Sequence, residues 1–322
     1  MPATAPYDRP LLDPALAIPA LAPLRAATLA GEWESLAAAF EAVSDEDDRT
    51  LACRVVASTP GSEEFLRRTA EELPHDPLAR TLYADRLVTT GWEIRTGARA
   101  AGTAAGRAAD FRSHLLRAEG LLIGVCAEHP EYALAWYLRV ITARGLELGQ
   151  SETRRRYDRL AEHHPHHHAG QQQLLQQLCP KWGGSWEAAQ SFADDCARRS
   201  RPGSPAAVLG AVVQLERWLE LAGTDPDEAE DHVEDPARRT ELERAAAASV
   251  LHPDFDSERH HAIAAHGVFA AVHCLAGRWR EAAPHFRALG NRMSAFPWEY
   301  LDSDPVAEFA RHREIALGRG AA

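Results

Sequence analysis

The chain has 322 residues, is 45% hydrophobic, and carries 47 acidic side chains against 35 Lys and Arg, for a formal net charge of -12. That length and apolar fraction suffice for a large buried core, while the negative balance argues against a broad basic face for nucleic acid. No stretch reaches the length and apolarity of a membrane-spanning helix, and the five cysteines contain no CxxC pair, which suits reduced, buried thiols in a cytoplasmic protein.

Alanine is abundant and β-branched residues are sparse, so helices are favoured over strands. Residues 1–18, punctuated by Pro2, Pro6, Pro10 and Pro14, read as an extended lead-in without the pattern of a signal peptide. Residues 19–322 read as a single helical domain. A first helix runs to Ala30 and stops at Gly31, and the next carries Trp33, Leu36 and Phe40 at helical spacing. The acidic run Ser44–Asp48 caps a helix through Val56, and Ser62 caps the one after it. Leu78 to Thr90 is helical, with Gly91-Trp92 predicted to interrupt or kink it. Residues 97–107, rich in Gly and Ala, read as a loop or a closely packed helix. A long helix follows from about Ala108 to Ala127.

His129-Pro130 and His164-Pro165 mark two boundaries 35 residues apart, and His252-Pro253 marks a third. Between them lie helices marked by Tyr132, Trp136 and Val140, then by Tyr157 and Leu160, and then a Gln-rich helix from Gln171 to Leu178. Helices from Trp186 to Arg199 and from Val208 to Leu221 come next. Residues 223–237 are acidic and read as a solvated insert, whether ordered or mobile. The chain closes with helices at about 237–250, 257–275, 279–289 and 305–317, giving about fourteen in all.

Leu29-Ala-Gly-Glu-Trp-Glu-Ser-Leu-Ala-Ala-Ala-Phe40 aligns with Leu275-Ala-Gly-Arg-Trp-Arg-Glu-Ala-Ala-Pro-His-Phe286, and Gly184-Ser-Trp186 begins a weaker copy. One helix ends at a small residue, and the next begins with a tryptophan that fills the junction. This habit, with the 35-residue interval close to a period of about 34, resembles the tetratricopeptide family. The resemblance implies antiparallel helical hairpins in an all-α solenoid or compact curled array. Phe111-Arg-Ser-His-Leu-Leu-Arg-Ala-Glu, Trp136-Tyr-Leu and Pro180-Lys-Trp-Gly-Gly-Ser are also similar to segments of an uncharacterised bacterial family of such architecture, in which the Lys-Trp-Gly-Gly-Ser corner is the most recognisable piece. That resemblance implies no activity.

The corner from Lys181 to Ser185 combines two glycines, a tryptophan and a lysine, and Trp186 follows. It reads either as a packed helix–helix corner or as the edge of a groove that presents Lys181 to an anionic group. Arg154-Arg155-Arg156 and Arg112 would add to such a groove if the helices stack. Arg112, Trp136, Arg155, Lys181 and Trp182 are the expected lining, and the expected partner is a protein or peptide, acidic if the arginines meet it. The histidines at 163–168 and 260–273 raise a metal question. Asp256 and His260, at i, i+4, with His266 are the weaker candidates for such a site. A small-molecule or metal-dependent enzyme using these histidines or His114 is the competing class. No HExxH, CxxC pair or nucleophile-elbow sequence supports it. A binding or scaffold module is favoured over catalysis, with no cofactor expected.

Overall fold

The computed structural model describes residues 8–97 and 103–319. The start of the lead-in and the middle of the Gly/Ala-rich stretch therefore lie outside the described residues. Among the described residues there are seventeen α-helices and no strand, only an isolated bridge between Leu11 and Arg292. No helix among them is long and apolar enough to cross a membrane. Two compact units emerge, one from Ala20 to Ser185, the other from Trp186 onward together with the segment ending at Pro19. The division falls inside the tryptophan-rich corner.

A short helix α1 (Pro14–Ala17), capped by Asp13, precedes the first unit. That unit then holds α2 (Ala22–Ala30), α3 (Trp33–Glu41), α4 (Glu46–Ser58), α5 (Glu63–Glu72), α6 (Pro77–Thr96), α7 (Ala104–Glu128), α8 (Ala133–Gly145), α9 (Gln150–His163) and α10 (His168–Leu178). The starts follow local chemistry. Asp45 accepts from the backbone N–H groups of Asp47 and Asp48, and Asp76 from that of Ala79, with Pro77 occupying the first helical position. The expected break at Gly91 does not occur, because α6 runs unbroken through it. Gly91 instead faces α7: a Cβ there would lie 3.4 Å from both His114 and Phe111, so its missing side chain sets a close approach of the two helices.

The two histidine–proline boundaries are one turn used twice. His129 and His164 take nearly the same conformation, φ -132°, ψ 77° and φ -131°, ψ 67°. In each the carbonyl accepts from the N–H three residues on, at 3.1 Å. His164 also reaches back through Nε2 to the carbonyl of Glu131 at 3.0 Å. Asp47 ties α4 to α10 by accepting from the N–H groups of His168 and Ala169, both at 2.9 Å.

The second unit comprises α11 (Trp186–Arg199), α12 (Val208–Thr224), α13 (Pro226–Glu234), α14 (Pro236–Ala248), α15 (His261–Leu275), α16 (Trp279–Leu289) and α17 (Pro305–Arg319). The insert at 223–237 is not a loop. Asp225 caps α13, Pro226 starts it, and Ala229, His232 and Val233 bury one face. The aligned segments share a corner: Gly31 and Gly277 have φ of 68° and 65°, and the following helices begin at Trp33 and Trp279. The segment after α16 packs back onto the helices of this unit. Trp298 is fully buried, edge-on to Phe309 at 5.2 Å, and Phe309 meets Phe286 at 5.4 Å. All five cysteines are buried and none is in a disulfide.

Candidate functional site

The corner is built as a cation–aromatic cluster. Pro180–Trp182 form a 3-10 turn and Gly183 has φ 81°. Gly184 is required there, since any Cβ would overlap the Leu178 backbone. Trp182 is half-buried and edge-on to Trp92 at 6.2 Å, and its carbonyl accepts from Gln150 and Gln177. The Arg95 guanidinium lies 5.1–5.5 Å from the Trp92, Phe111 and Trp182 rings. Arg144 approaches both tryptophans while donating to the carbonyl and side chain of Gln173. Lys181 is exposed beside this cluster in sequence.

The other expected lining residues scatter through the same unit. Arg112 is exposed on α7. Trp136 is buried, its indole N–H donating to the Pro130 carbonyl at 2.7 Å, with Arg139 over its ring. Arg155 is exposed and forks onto Glu152 through two 2.7 Å bonds. Its neighbour Arg156 turns inward. There Glu119 accepts from Arg139 (3.1 and 3.0 Å), Thr142 (2.6 Å) and Arg156 (2.9 Å), joining α7, α8 and α9 in a buried network. Arg156 also donates to the Arg139 carbonyl and to Glu152. This is a satisfied polar core, which holds helices together rather than recognising a ligand.

The metal candidates do not meet. The helix expected from Ser257 begins only at His261, so Asp256 sits in a preceding turn, and its carboxylate accepts from the Glu258 N–H at 3.0 Å. His260 is the residue before α15, and His266 is buried. Among the described residues no group of three or more His, Cys, Asp or Glu is placed to hold a metal ion. His114 points back to the Asp110 carbonyl at 2.8 Å.

His266, Phe269 and His273 lie along one face of α15 and receive His285 from α16. The Nδ1 atoms of His266 and His285 are 3.1 Å apart, so one donates and one accepts. Phe269 and His273 both stack on the His285 ring, at 5.3 and 5.7 Å. Burial pushes His266 and His273 down to about 4 and His285 well below its ordinary value, with the neighbouring histidines adding to the shift of His285. At Asp47 burial acts upward, but His167, His168 and the two backbone N–H groups outweigh it and hold the carboxyl below its usual value.

A large concavity lies elsewhere, in the second unit. Helices α11 and α14 both pack on α12, and between them opens a groove of about 680 Å³. Lining residues recur at helical spacing on each wall. On α11 the stripe runs from Glu187 to Arg198, a length of about 16 Å at the helical rise. The small residues of the groove include Ala193, Ala197, Gly210, Ala211, Ala245 and Ala248. Gln214 on α12 donates to Glu241 (3.3 Å) and accepts from Arg238 (3.0 Å), both on α14. Trp186 pins the start of α11 to α12 through Glu220 at 2.9 Å.

Four arginines face this groove. Arg198 pairs with Asp195 and Arg238 with Asp235. Arg217, half-buried on α12, and Arg244, exposed on α14, have no carboxylate within ion-pair distance among the described residues. None of Arg112, Trp136, Arg155, Lys181 and Trp182 lines it. The one signal for it in the sequence is the i, i+4 pair Ala193/Ala197 with the i, i+3 pair Ala245/Ala248, which reads equally as ordinary helix composition. No family model matches the chain, and no curated protein matches its sequence.

Proposed function

We propose that the chain is a binding module that receives a segment of another protein in the groove between α11 and α14. The observation carrying this reading is the groove itself: about 680 Å³, lined by three helices and floored by alanine and glycine. Such helical grooves take amphipathic segments through anchors at i, i+3, i+4 and i+7. The lining contains no Ser, Thr, Cys or His, so the usual nucleophiles and the commonest general base are missing from its walls. That composition favours recognition over catalysis.

Filling the groove is the test. Gly210 faces open space, since a Cβ there meets no atom within 4 Å. Gly210→Leu therefore starts its side chain in open space over the floor and improves helix propensity. Tagged wild-type and variant chains are used to capture partners from the native host, with identification by mass spectrometry. The expected result is a partner retained by the wild type and lost by Gly210→Leu, at unchanged melting temperature. An identical set of partners on both chains refutes the groove.

A further inference from the structure

We propose that the seam between α15 and α16 is an acid-operated latch: proton uptake by His266, His273 and His285 parts α16 from α15, while the unit from Ala20 to Ser185 stays folded. All three imidazoles are buried. His285 of α16 meets three rings of α15: the His266 Nδ1 at 3.1 Å, Phe269 stacked at 5.3 Å and His273 stacked at 5.7 Å. Phe255 lies edge-on to His266 at 5.8 Å. One proton fits between two Nδ1 atoms at that distance, because a neutral ring can accept it. An imidazolium donates from both nitrogens and accepts at neither. With both rings charged, two N–H groups face each other across the contact, and the stacked His273 sets a third imidazole beside them. Side chains packed at crystal density relieve such repulsion only by moving apart.

A buried charge needs a counter-charge, and this seam supplies no net one. The charged groups that act on the rings are Arg292 beside His266, and Glu281, Glu243, Arg278 and Arg239 around His273. The two acids are matched by two arginines, and Arg292 opposes a proton on His266. His285 faces only the other two histidines. Helix α12 packs on α15 and α17 on α16, and neither presents a charged group to the cluster. The buried pair His167 and His168, in the other unit, is built the opposite way. His167 lies 3.4 Å from the Asp47 carboxylate, and His168 also feels that charge, so a proton there gains a partner. The element that gives way is α16. Pro284 lies inside this helix of 11 residues, next to His285, and has no N–H to bond the turn before it.

Hydrogen–deuterium exchange of the full-length chain at pH 7.5 and 5, corrected for the intrinsic pH dependence of amide exchange, tests the latch. Peptides from 261–289 should exchange about tenfold or more faster at pH 5, reversibly, while peptides from 133–178 keep their protection. In H266N the amide still offers His285 a donor and an acceptor but no longer titrates, and the acceleration should shrink by about threefold or more. Equal acceleration in both units means global acid unfolding and overturns the latch, as does protection over 261–289 that is indifferent to pH. Full acceleration retained in a folded H266N chain removes the histidines as its cause. If near-ultraviolet circular dichroism shows H266N unfolded at pH 7.5, H273F, which keeps a stacked ring, is read by the same criterion.

Discussion

Lowering the pH from 7.5 to 5 should destabilise the unit that contains His266, His273 and His285. These rings sit against one another and Phe269 between α15 and α16. Burial holds His266 and His273 near 4 in the folded chain, against 6.5 for an ordinary imidazole. The unfolded chain therefore binds protons at a higher pH than the folded one. Stability is fully present above 6.5 and is lost as the pH falls toward 4. At about 1.4 kcal/mol per unit, each ring contributes a loss of about 2 kcal/mol by pH 5. The surrounding charges do not reverse this. Arg292 faces His266 and adds to its shift, whereas around His273 the acids Glu281 and Glu243 oppose Arg278 and Arg239. Urea unfolding followed by near-ultraviolet circular dichroism at pH 7.5, 6 and 5 reads the effect. For His266 and His273 together the midpoint should fall by about 2 M at a urea slope of about 2 kcal/mol/M. His285→Phe removes one buried titrating ring and should lessen that pH dependence by its share, leaving that of His266 and His273. A midpoint that moves by less than about 0.3 M between pH 7.5 and 5 would refute burial as the cause of these shifts.

Glu119→Ala should cost about 3–5 kcal/mol, because it leaves Arg139 and Arg156 buried without their carboxylate; a loss under about 1 kcal/mol in urea melts would show the network to be solvated. Its exposed neighbour gives the contrast: Arg155→Ala should shift stability by about 1 kcal/mol or less, as surface ion pairs do. Gly184→Ala should destabilise the tryptophan corner by about 1–3 kcal/mol, since the new methyl meets the Leu178 backbone, which cannot yield as a side chain would. Intrinsic tryptophan fluorescence should register that change, and an unaltered melting curve would mean the corner opens at no cost.

Much of the local structure was legible. The acidic run at 44–48 caps the start of a helix as expected, because the Asp45 carboxylate accepts from the free N–H groups of Asp47 and Asp48. The Leu-Ala-Gly-x-Trp segments fold into matching corners because only glycine takes the positive φ at no cost. Two local expectations failed for reasons of tertiary packing. Gly91 was read as a break, but α7 lies against it and rewards the absent side chain. The 223–237 segment was read as solvated because its acids dominate any composition count. Three residues, Ala229, His232 and Val233, suffice to bury one side of a helix that is polar elsewhere.

The candidate site was far less legible, and its arginines show why. Arg156 and Arg217 are the same residue type on amphipathic helices, and nothing in their immediate sequence separates them. One finds Glu119 from α7, Glu152 on its own helix and a carbonyl from α8, and becomes part of a closed core. The other finds no carboxylate among the described residues and faces an open slot. What distinguishes a structural arginine from a recognising one is therefore the set of acceptors brought within about 3 Å by other helices, which is fixed only by packing. The basic run at 154–156 and the tryptophans drew attention because they are conspicuous along the chain, yet conspicuous charge is usually neutralised at home. The groove drew none because its floor is alanine, the residue that says least. The open concavity and the arginines without a carboxylate in it arise only once α11, α12 and α14 are set side by side, which is why the proposed groove left no distinctive mark in the sequence.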